Sequence, residues 1–197
     1  DLSVFAEAGD QAASVIKLMA GDFHMALSRF NRMDAPVIAA VNGTAGGAGF
    51  SLAVATDLAI AVDSAKFVMA YTNAGLSPDG SSSYFLPRRI GDRRTRELML
   101  TNRVLSASEA LDWGVINQVV SADEFDKAVN KLAENIAKGP TRAFGQVKAL
   151  LNASFDNGME TQMEFESRGI ADMVRTQDGQ EGINAFLNKR QPQFKGR

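Results

Sequence analysis

The chain has 197 residues, of which 45% are hydrophobic and 22% charged, and its formal net charge is −2. This composition suits a globular chain with a real core, and without a basic block it gives no support for nucleic-acid binding. No apolar run approaches the roughly 20 residues that a membrane span needs. Cys is absent and His occurs once, which excludes thiolate sites and an ordinary His-based zinc site.

Predicted helices and short strands alternate through the first 120 residues. Residues 10–32 carry apolar side chains at helical spacing and predict a long amphipathic helix. A glycine-rich stretch then predicts a tight loop that runs into a buried helix. Short apolar runs predict strands at residues 35–41, 57–62, 66–70 and 114–120.

From Ser121 onward the pattern predicts helix nearly to the chain end. Within the first 120 residues, positions 79–101 predict two helices separated at Gly91, the first made irregular by Pro87. Two capping boxes are predicted, at residues 106–109 and 121–124. The fold class is therefore α/β, with a core at residues 1–120 and a helical region at residues 121–197.

The glycine-rich stretch "VNGTAGGAG", residues 41–49, is the first candidate site. Its glycines let the backbone approach a ligand closely, and free amides at a helix start can hold a negative oxygen. A phosphate is one candidate, but no Gly-Lys-Ser/Thr follows and the glycine spacing does not fit G-x-G-x-x-G. A thioester oxyanion is another, and tight helix–strand packing without a ligand is the third interpretation.

The segment "APVIAAVNGTAGGAGFSLAVATDLAIA", residues 35–61, resembles the signature of the crotonase superfamily, which contains the enoyl-CoA hydratases and isomerases. The resemblance continues through "AKFVMAYTNAGLSPDGSSSYFLPRRIG" and "LTNRVLSASEALDWGVINQVV" to the terminal "EGINAFLNKRQPQFKGR". It implies a spiral of ββα units followed by a C-terminal helical trimerisation region. Asp1-Leu2 resembles the end of the family's A-G-x-D-L motif, so the first strands of the spiral are expected to precede this sequence.

The same resemblance implies an oxyanion hole made of two backbone amides that bind a thioester enolate. One amide falls on Ala48, next to Gly47, and the other falls just before Asp1. Coenzyme A then enters as part of an acyl-CoA substrate, and no metal or separate cofactor is expected. Preorganised donors of this kind each contribute about 3–4 kcal/mol to lowering a barrier.

The acidic residues separate the possible reactions. The family's hydratases carry two glutamates, and the matching positions here hold Ser51 and Tyr71, neither of which is a carboxylate. Asp79, in "SPDG", matches the position where one branch of Δ3,Δ2-enoyl-CoA isomerases carries Glu. One carboxylate suffices to remove a proton beside a thioester carbonyl and return it two carbons away. Asp79 could instead be a helix cap or a turn residue, because Ser-Pro-Asp-Gly suits both.

Other assignments stay open at this point. His24 lies near a position where the family's aryl-CoA dehalogenases keep a His, and those enzymes use an Asp at the Asp79 position as nucleophile. However, they carry Trp where this chain has Tyr71. A hydratase with rearranged acids and a non-catalytic CoA-binding homologue are further alternatives. The expected reaction is double-bond isomerisation in fatty acid metabolism.

The resemblance also implies several peripheral residues and partners. Tyr71 and Leu76 would line the acyl pocket, and Lys195 would contact CoA phosphates, although a solvated chain end is the simpler interpretation. A homotrimer or a hexamer formed from two trimers is expected through the C-terminal helices. Cytoplasmic localisation is expected, with no nucleic-acid or membrane partner.

Overall fold

The computed structural model describes residues 3–197. Asp1 and Leu2, where the family resemblance finds the end of a motif, lie outside the described residues. The chain divides into two compact units, with residues 1–31 and 38–125 in the first and residues 32–37 and 126–197 in the second. The domain boundary that the sequence predicts after residue 120 stays a prediction.

The first unit contains all the strands and six of the α-helices of the described chain, together with short 3₁₀ helices at Gly9–Gln11 and Tyr71–Ala74. Its strands are β1 (Ile38–Val41), β2 (Thr44–Gly46), β3 (Leu58–Val62), β4 (Lys66–Val68), β5 (Leu105–Ser106) and β6 (Gln118–Val120). Its helices are α1 (Ser3–Glu7), α2 (Ala12–Arg32, apart from its last residue), α3 (Ala48–Ala55), α4 (Ser82–Ile90), α5 (Asp92–Thr101) and α6 (Ala107–Asp112).

The strands form two three-stranded sheets, ordered β1-β3-β6 and β2-β4-β5. Two successive strand pairs, β1 with β2 and β3 with β4, each contribute one strand to each sheet. Both β1 with β3 and β2 with β4 pair in parallel, and only β4 with β5 is antiparallel. The α/β class with repeating ββα units is therefore confirmed.

Apolar side chains from both sheets and the helices of the first unit make one core. Phe50 of α3 and Phe67 of β4 are fully buried, with their ring centroids 5.5 Å apart. Arg89 satisfies the free carbonyls at the end of α3: its Nε donates to Val54 O at 2.7 Å and its Nη2 to Thr56 O at 2.5 Å. Burial lowers the pKa of Arg89, although an arginine still carries its charge.

Several local predictions differ from the structure. The strand predicted at residues 66–70 ends at Val68, and β2 lies within the predicted tight loop. The first strand begins at Ile38, because Pro36 has no N–H for a ladder and residues 32–37 belong to the second unit. Residues 114–117 precede the ladder, and β6 begins only at Gln118. Pro87 lies inside a continuous α4, because the one carbonyl left without its amide belongs to Ser83, which is solvent-exposed.

The capping box at the start of α6 is confirmed. Ser106 accepts a hydrogen bond from the Glu109 amide, and the Glu109 side chain reaches back to the Ser106 amide. Glu109 also forms an ion pair with Arg103. The second predicted box, at Ser121, precedes helix α7, and its side-chain bonds stay a prediction.

The second unit is helical, as predicted. It contains α8 (Thr141–Ala153), α9 (Met159–Val174), α10 (Gln177–Leu187) and most of α7 (Ala122–Ala137). Helices α8 and α9 approach so closely that a Cβ on Gly169 would overlap the side-chain amide of Gln146. The chain end is held by the buried Asp178, whose carboxylate accepts the amides of Lys195 and Gly196 at 2.7 Å each.

Within residues 3–197, no helix is long and apolar enough to cross a membrane.

Candidate active site

The glycine-rich loop ends at the start of α3, where Gly47 has φ 51° and ψ −119°. Only glycine adopts this conformation without strain. Ala48 is the first residue of the helix, so its N–H has no acceptor within the helix and points out of its end. Ala48 is also solvent-exposed. The loop therefore presents the amide that an oxyanion would need.

The Asp79 carboxylate is carried by a strained turn between residues 79 and 82. Gly80 and Ser81 have φ values of 61° and 60°, and a left-handed serine is uncommon. The turn is fixed by Ser82, whose Oγ donates to Asp79 O at 2.8 Å. Helix α4 begins at Ser82 without a side-chain cap, so the helix-cap interpretation of Asp79 does not describe this turn.

Close packing also fixes the turn from behind. A Cβ on Gly80 would lie 2.6 Å from the Phe23 ring and 2.8 Å from Ser51 Cβ. No side chain fits there, so glycine is required by space as well as by its φ angle. The turn therefore lies directly against α3, the helix that begins at Ala48.

A chain of hydrogen bonds joins this turn to the glycine-rich loop. Tyr71 Oη donates to Asp79 Oδ1 at 2.5 Å, and Tyr71 Oη and Ser51 Oγ are 3.0 Å apart. Ser51 Oγ in turn lies 3.2 Å from the carbonyl oxygen of Gly47. Ser51 is fully buried, whereas Tyr71 and Asp79 are half-buried.

The Tyr71 hydroxyl is a fixed hydrogen-bond donor in this chain. Burial, and then the hydrogen bond to Asp79, raises the pKa of Tyr71 to about 12. The phenol therefore stays protonated at any ordinary working pH. Within the described residues, Asp79 is the carboxylate of this cluster, and the other two side chains are neutral hydroxyls.

His24 of α2 lies at the same turn, although it is solvent-exposed. Its Nε2 accepts a hydrogen bond from the Gly80 amide at 3.1 Å. In this arrangement Nε2 helps to anchor the turn and is not free to act as a base toward a ligand.

The remaining predicted contacts are less tightly connected to the cluster. Leu76 is 37% exposed, and its amide donates to Tyr71 O at 3.0 Å, so it lies beside Tyr71. Lys195 belongs to the second unit, where its amide binds Asp178. Its contact with a ligand phosphate stays a prediction.

The cluster offers one carboxylate and one helix-terminal amide as its reactive groups. A carboxylate of this kind can take up and return a proton, and the amide can stabilise a developing negative oxygen. Among residues 3–197, no three or more His, Asp and Glu side chains come together as a metal site would require.

Comparison with known proteins identifies the family. The model of the family described as "Enoyl-CoA hydratase/isomerase" matches residues 3–197. The chain belongs to this family. The resemblance found in the sequence is thereby confirmed. The crystal structure of an enoyl-CoA hydratase from a Polaromonas species superimposes on this chain with a TM-score of 0.93 and a sequence identity of 33%. That match covers 99% of this family member and 76% of the other chain, and the fold is the crotonase fold.

The curated relatives of this enoyl-CoA hydratase/isomerase family member have different activities in their names. It is 41% identical to a 1,2-epoxyphenylacetyl-CoA isomerase of Escherichia coli over 169 residues, which are 86% of this chain and 64% of the relative. It is 36% identical to a probable enoyl-CoA hydratase of Rhodobacter capsulatus, covering 96% and 75%. It is also 36% identical to a 4-chlorobenzoyl coenzyme A dehalogenase of an Arthrobacter species, covering 89% and 64%. The chain thus spans slightly less than two thirds of two of these relatives.

Sequence reasoning missed the hydrogen-bond chain itself. It considered Ser51 and Tyr71 because they occupy the positions of two hydratase acids, and it considered Asp79 separately. The three residues are separated by 20 and 8 positions, and no local pattern connects them. The one available signal was that two polar, uncharged residues stand where relatives carry acids.

Proposed function

We propose that this family member is an acyl-CoA enzyme that shifts a double bond by proton transfer through a thioester enolate, as a Δ3,Δ2-enoyl-CoA isomerase does. The Asp79 carboxylate removes a proton from C2 of a 3-enoyl-CoA. The electron pair moves onto the thioester oxygen, where the Ala48 N–H stabilises the enolate. Asp79 then returns the same proton to C4, which gives the conjugated 2-enoyl-CoA.

The observation that carries this proposal is the single carboxylate of the cluster. Tyr71 and Ser51 occupy the positions of the two hydratase acids, and neither activates water as a carboxylate does. The 1,3-proton shift needs one base that works on one face of the substrate, and it needs no water. The relative of highest identity cited above is also named as an isomerase, which supports the same class of reaction.

Aryl-CoA dehalogenation is the second candidate, supported by the dehalogenase relative and by His24 beside the Asp79 turn. In that reaction Asp79 would attack an aromatic carbon and release halide. Two observations favour isomerisation: Nε2 of His24 is occupied by the Gly80 amide, and Tyr71 stands where the dehalogenases carry Trp.

The deciding experiment supplies the protein separately with a 3-enoyl-CoA and with 4-chlorobenzoyl-CoA. The expected result is an increase in the absorbance of the conjugated 2-enoyl thioester with the first and no chloride release with the second. Asp79→Asn should reduce isomerisation by at least about 10³-fold while CoA-thioester binding persists, because the general base is lost. Unchanged turnover in Asp79→Asn would refute the proposal, and binding without any turnover in the unmodified protein would favour a non-catalytic CoA-binding homologue.

Homo-oligomerisation through the second unit is also part of this proposal. In the single chain several large apolar side chains of this unit are exposed: Leu151, Phe155, Met159, Met163, Ile170, Phe186 and Leu187. Large apolar side chains that join into one exposed patch mark an interaction surface, and a trimer or a hexamer would cover these side chains. Sedimentation equilibrium tests this, and a monomer at micromolar concentration would contradict it.

A further inference from the structure

We propose that Ser51 and Tyr71 are positioning residues that couple the protonation of Asp79 to the strength of the Ala48 N–H as an oxyanion donor. This inference rests on the proposed function. It concerns how two halves of the site communicate, since one is a side-chain base and the other is a backbone amide. The connection is the hydrogen-bond chain from Asp79 through Tyr71 and Ser51 to the Gly47 carbonyl.

The chain has fewer hydrogens than it has gaps. Four oxygens follow one another, with separations of 2.5 Å between Asp79 Oδ1 and Tyr71 Oη, 3.0 Å between Tyr71 Oη and Ser51 Oγ, and 3.2 Å between Ser51 Oγ and Gly47 O. The two hydroxyls provide one hydrogen each. While Asp79 is ionised, two hydrogens therefore serve three gaps, and one gap is left without a hydrogen.

The charge on Asp79 decides whether the gap before Gly47 O is the empty one. When the carboxylate is ionised, it draws the Tyr71 hydrogen, and the electron-rich phenol oxygen then draws the Ser51 hydrogen. The Gly47 carbonyl loses its side-chain donor. When Asp79 holds a proton, this pull is removed, and the Ser51 hydroxyl rotates to donate to Gly47 O. No proton travels along the chain, because only hydroxyl rotation is involved.

Gly47 C=O and Ala48 N–H belong to one peptide group. A hydrogen bond accepted by the carbonyl polarises the peptide and makes its N–H a stronger donor, an effect of about 10–30% per bond. The carbonyl already accepts the Ser51 amide at 2.9 Å. The Ser51 hydroxyl therefore adds a second, switchable bond to the same acceptor.

The timing of the switch suits an enolate reaction. Asp79 holds the proton only while the substrate exists as the enolate, and that is when the negative charge on the thioester oxygen is largest. The Ala48 amide is then at its strongest, and it weakens again when Asp79 returns the proton to carbon. The arrangement favours the intermediate over both the substrate and the product.

The coupling is measured through the carbonyl stretch of a bound, unreactive thioester. Hexanoyl-CoA labelled with ¹³C at the thioester carbonyl is bound to the whole protein, and its infrared frequency is followed from about pH 3 to about pH 9, a range that brackets the ordinary pKa values of carboxyl and imidazole groups. A lower frequency reports a stronger oxyanion hole. The charge of Asp79 also acts directly through space in every variant. The coupling through the hydrogen-bond chain is therefore measured as the difference between variants.

The two variants should move the frequency in opposite directions at high pH. In Tyr71→Phe the Ser51 hydroxyl always donates to Gly47 O, so the carbonyl frequency lies below that of the unmodified protein. In Ser51→Ala this donor is absent, so the frequency is no lower than in the unmodified protein. Both variants should lose the part of the pH-dependent shift that passes through the hydrogen-bond chain and keep the direct part. An equal shift in all three proteins, or an unchanged high-pH frequency in Tyr71→Phe, overturns the coupling.

Within the described residues, His24 is the other titratable side chain bonded to this turn, so the titration is repeated in His24→Gln. If the coupling passes through the hydrogen-bond chain, the opposite effects of Tyr71→Phe and Ser51→Ala persist in that background. Their disappearance would assign the shift to the imidazole and overturn the proposal.

Kinetics provide an independent readout. Tyr71→Phe should lower kcat about tenfold with little change in KM, because the lost bond to Asp79 is charge-assisted. The double variant with Ser51→Ala should be slower than Tyr71→Phe alone, because in Tyr71→Phe the Ser51 hydroxyl still donates to Gly47 O. A double variant as fast as Tyr71→Phe would contradict this donor role, and loss of activity in Asp79→Asn with no effect of Tyr71→Phe would refute this inference while leaving the proposed function standing.

Matched controls exist within the same unit. Tyr84→Phe removes the hydroxyl of the other tyrosine, which lies exposed on α4. Thr95→Val removes a buried hydroxyl that donates to the carbonyl four residues earlier, at 2.9 Å from Gly91 O, as Ser51 does toward Gly47. Neither should change the carbonyl frequency, and an effect of either as large as that of the site variants would overturn the assignment.

Discussion

Gly80 is the position where a single methyl group should damage the site most. A Cβ there would lie 2.8 Å from Ser51 Cβ, which is fixed to the α3 backbone and cannot rotate away, and 2.6 Å from the Phe23 ring. The φ angle of 61° adds a conformational cost. A left-handed alanine costs about 1–2 kcal/mol, and overpacking of a well-packed site adds about 1–3 kcal/mol. Gly80→Ala should therefore reduce the free energy of unfolding by about 2–5 kcal/mol.

Gly75→Ala separates these two causes. Gly75 has a similar φ of 71°, but no atom lies within 4 Å of the point that an alanine Cβ would occupy there, so only the conformational cost applies, about 1–2 kcal/mol. The loss of unfolded-state entropy on replacing glycine is the same in both variants and cancels in their difference. Urea unfolding followed by circular dichroism measures the free energy of unfolding of both variants. Equal destabilisation of the two variants would refute the claim that packing against Ser51 requires glycine at residue 80.

Two further predictions concern the supports around the site and the chain end. Arg89→Met should destabilise the protein by about 2–4 kcal/mol in thermal or urea unfolding, because two buried carbonyls at the end of α3 lose their charged donor. Glu181 binds Arg190 and the Gln193 amide, and first the Arg190 bond and then the amide bond lower the pKa of Glu181 to about 2. Its stabilising effect is thus complete above its ordinary value of 4.5 and is lost as the pH falls toward 2. The hydrogen-exchange protection factors of residues 191–197, taken relative to the intrinsic exchange rate at each pH, should therefore fall over that interval and should already be low in Glu181→Gln at neutral pH.

Each of these two predictions has its own control. Arg93→Ala removes an exposed arginine and should change the free energy of unfolding by no more than about 0.5 kcal/mol. If Arg89→Met changes the free energy of unfolding as little, the carbonyls at the end of α3 do not need the Arg89 side chain. Glu164→Gln removes an exposed carboxylate paired with Arg168 and should leave exchange of residues 191–197 unchanged. Protection of that segment that is insensitive to both pH and Glu181→Gln would contradict the role given to Glu181.

Much of the fold was accessible from the sequence because its signals are local. The helical spacing in residues 10–32 predicted α2, and the capping box at Ser106 predicted the start of α6. The strand ends were less accurate, because a ladder is defined by its partner strand as well as by its own residues. Pro87 was judged by helix propensity, but tertiary packing outweighs one missing hydrogen bond.

The site was only partly predictable for a different reason. Ala48 and Asp79 followed from the family resemblance, which aligns single positions. The bond between Tyr71 and Asp79 depends on the left-handed turn at Gly80 and Ser81, and it also depends on the depth to which α3 is buried. Neither is written in the spacing of the residues themselves.

The way consecutive strands are divided between the two sheets has a consequence for how insertions would act. Val41 ends a strand of one sheet and Thr44 begins a strand of the other, so the two residues between them hold both ladders in step. One extra residue in this link would force one of the two sheets to slip, and a slip by one residue turns every side chain of a strand to the opposite face. Length changes in this short link should therefore be far less tolerated than equal changes in the exposed loop at residues 154–156.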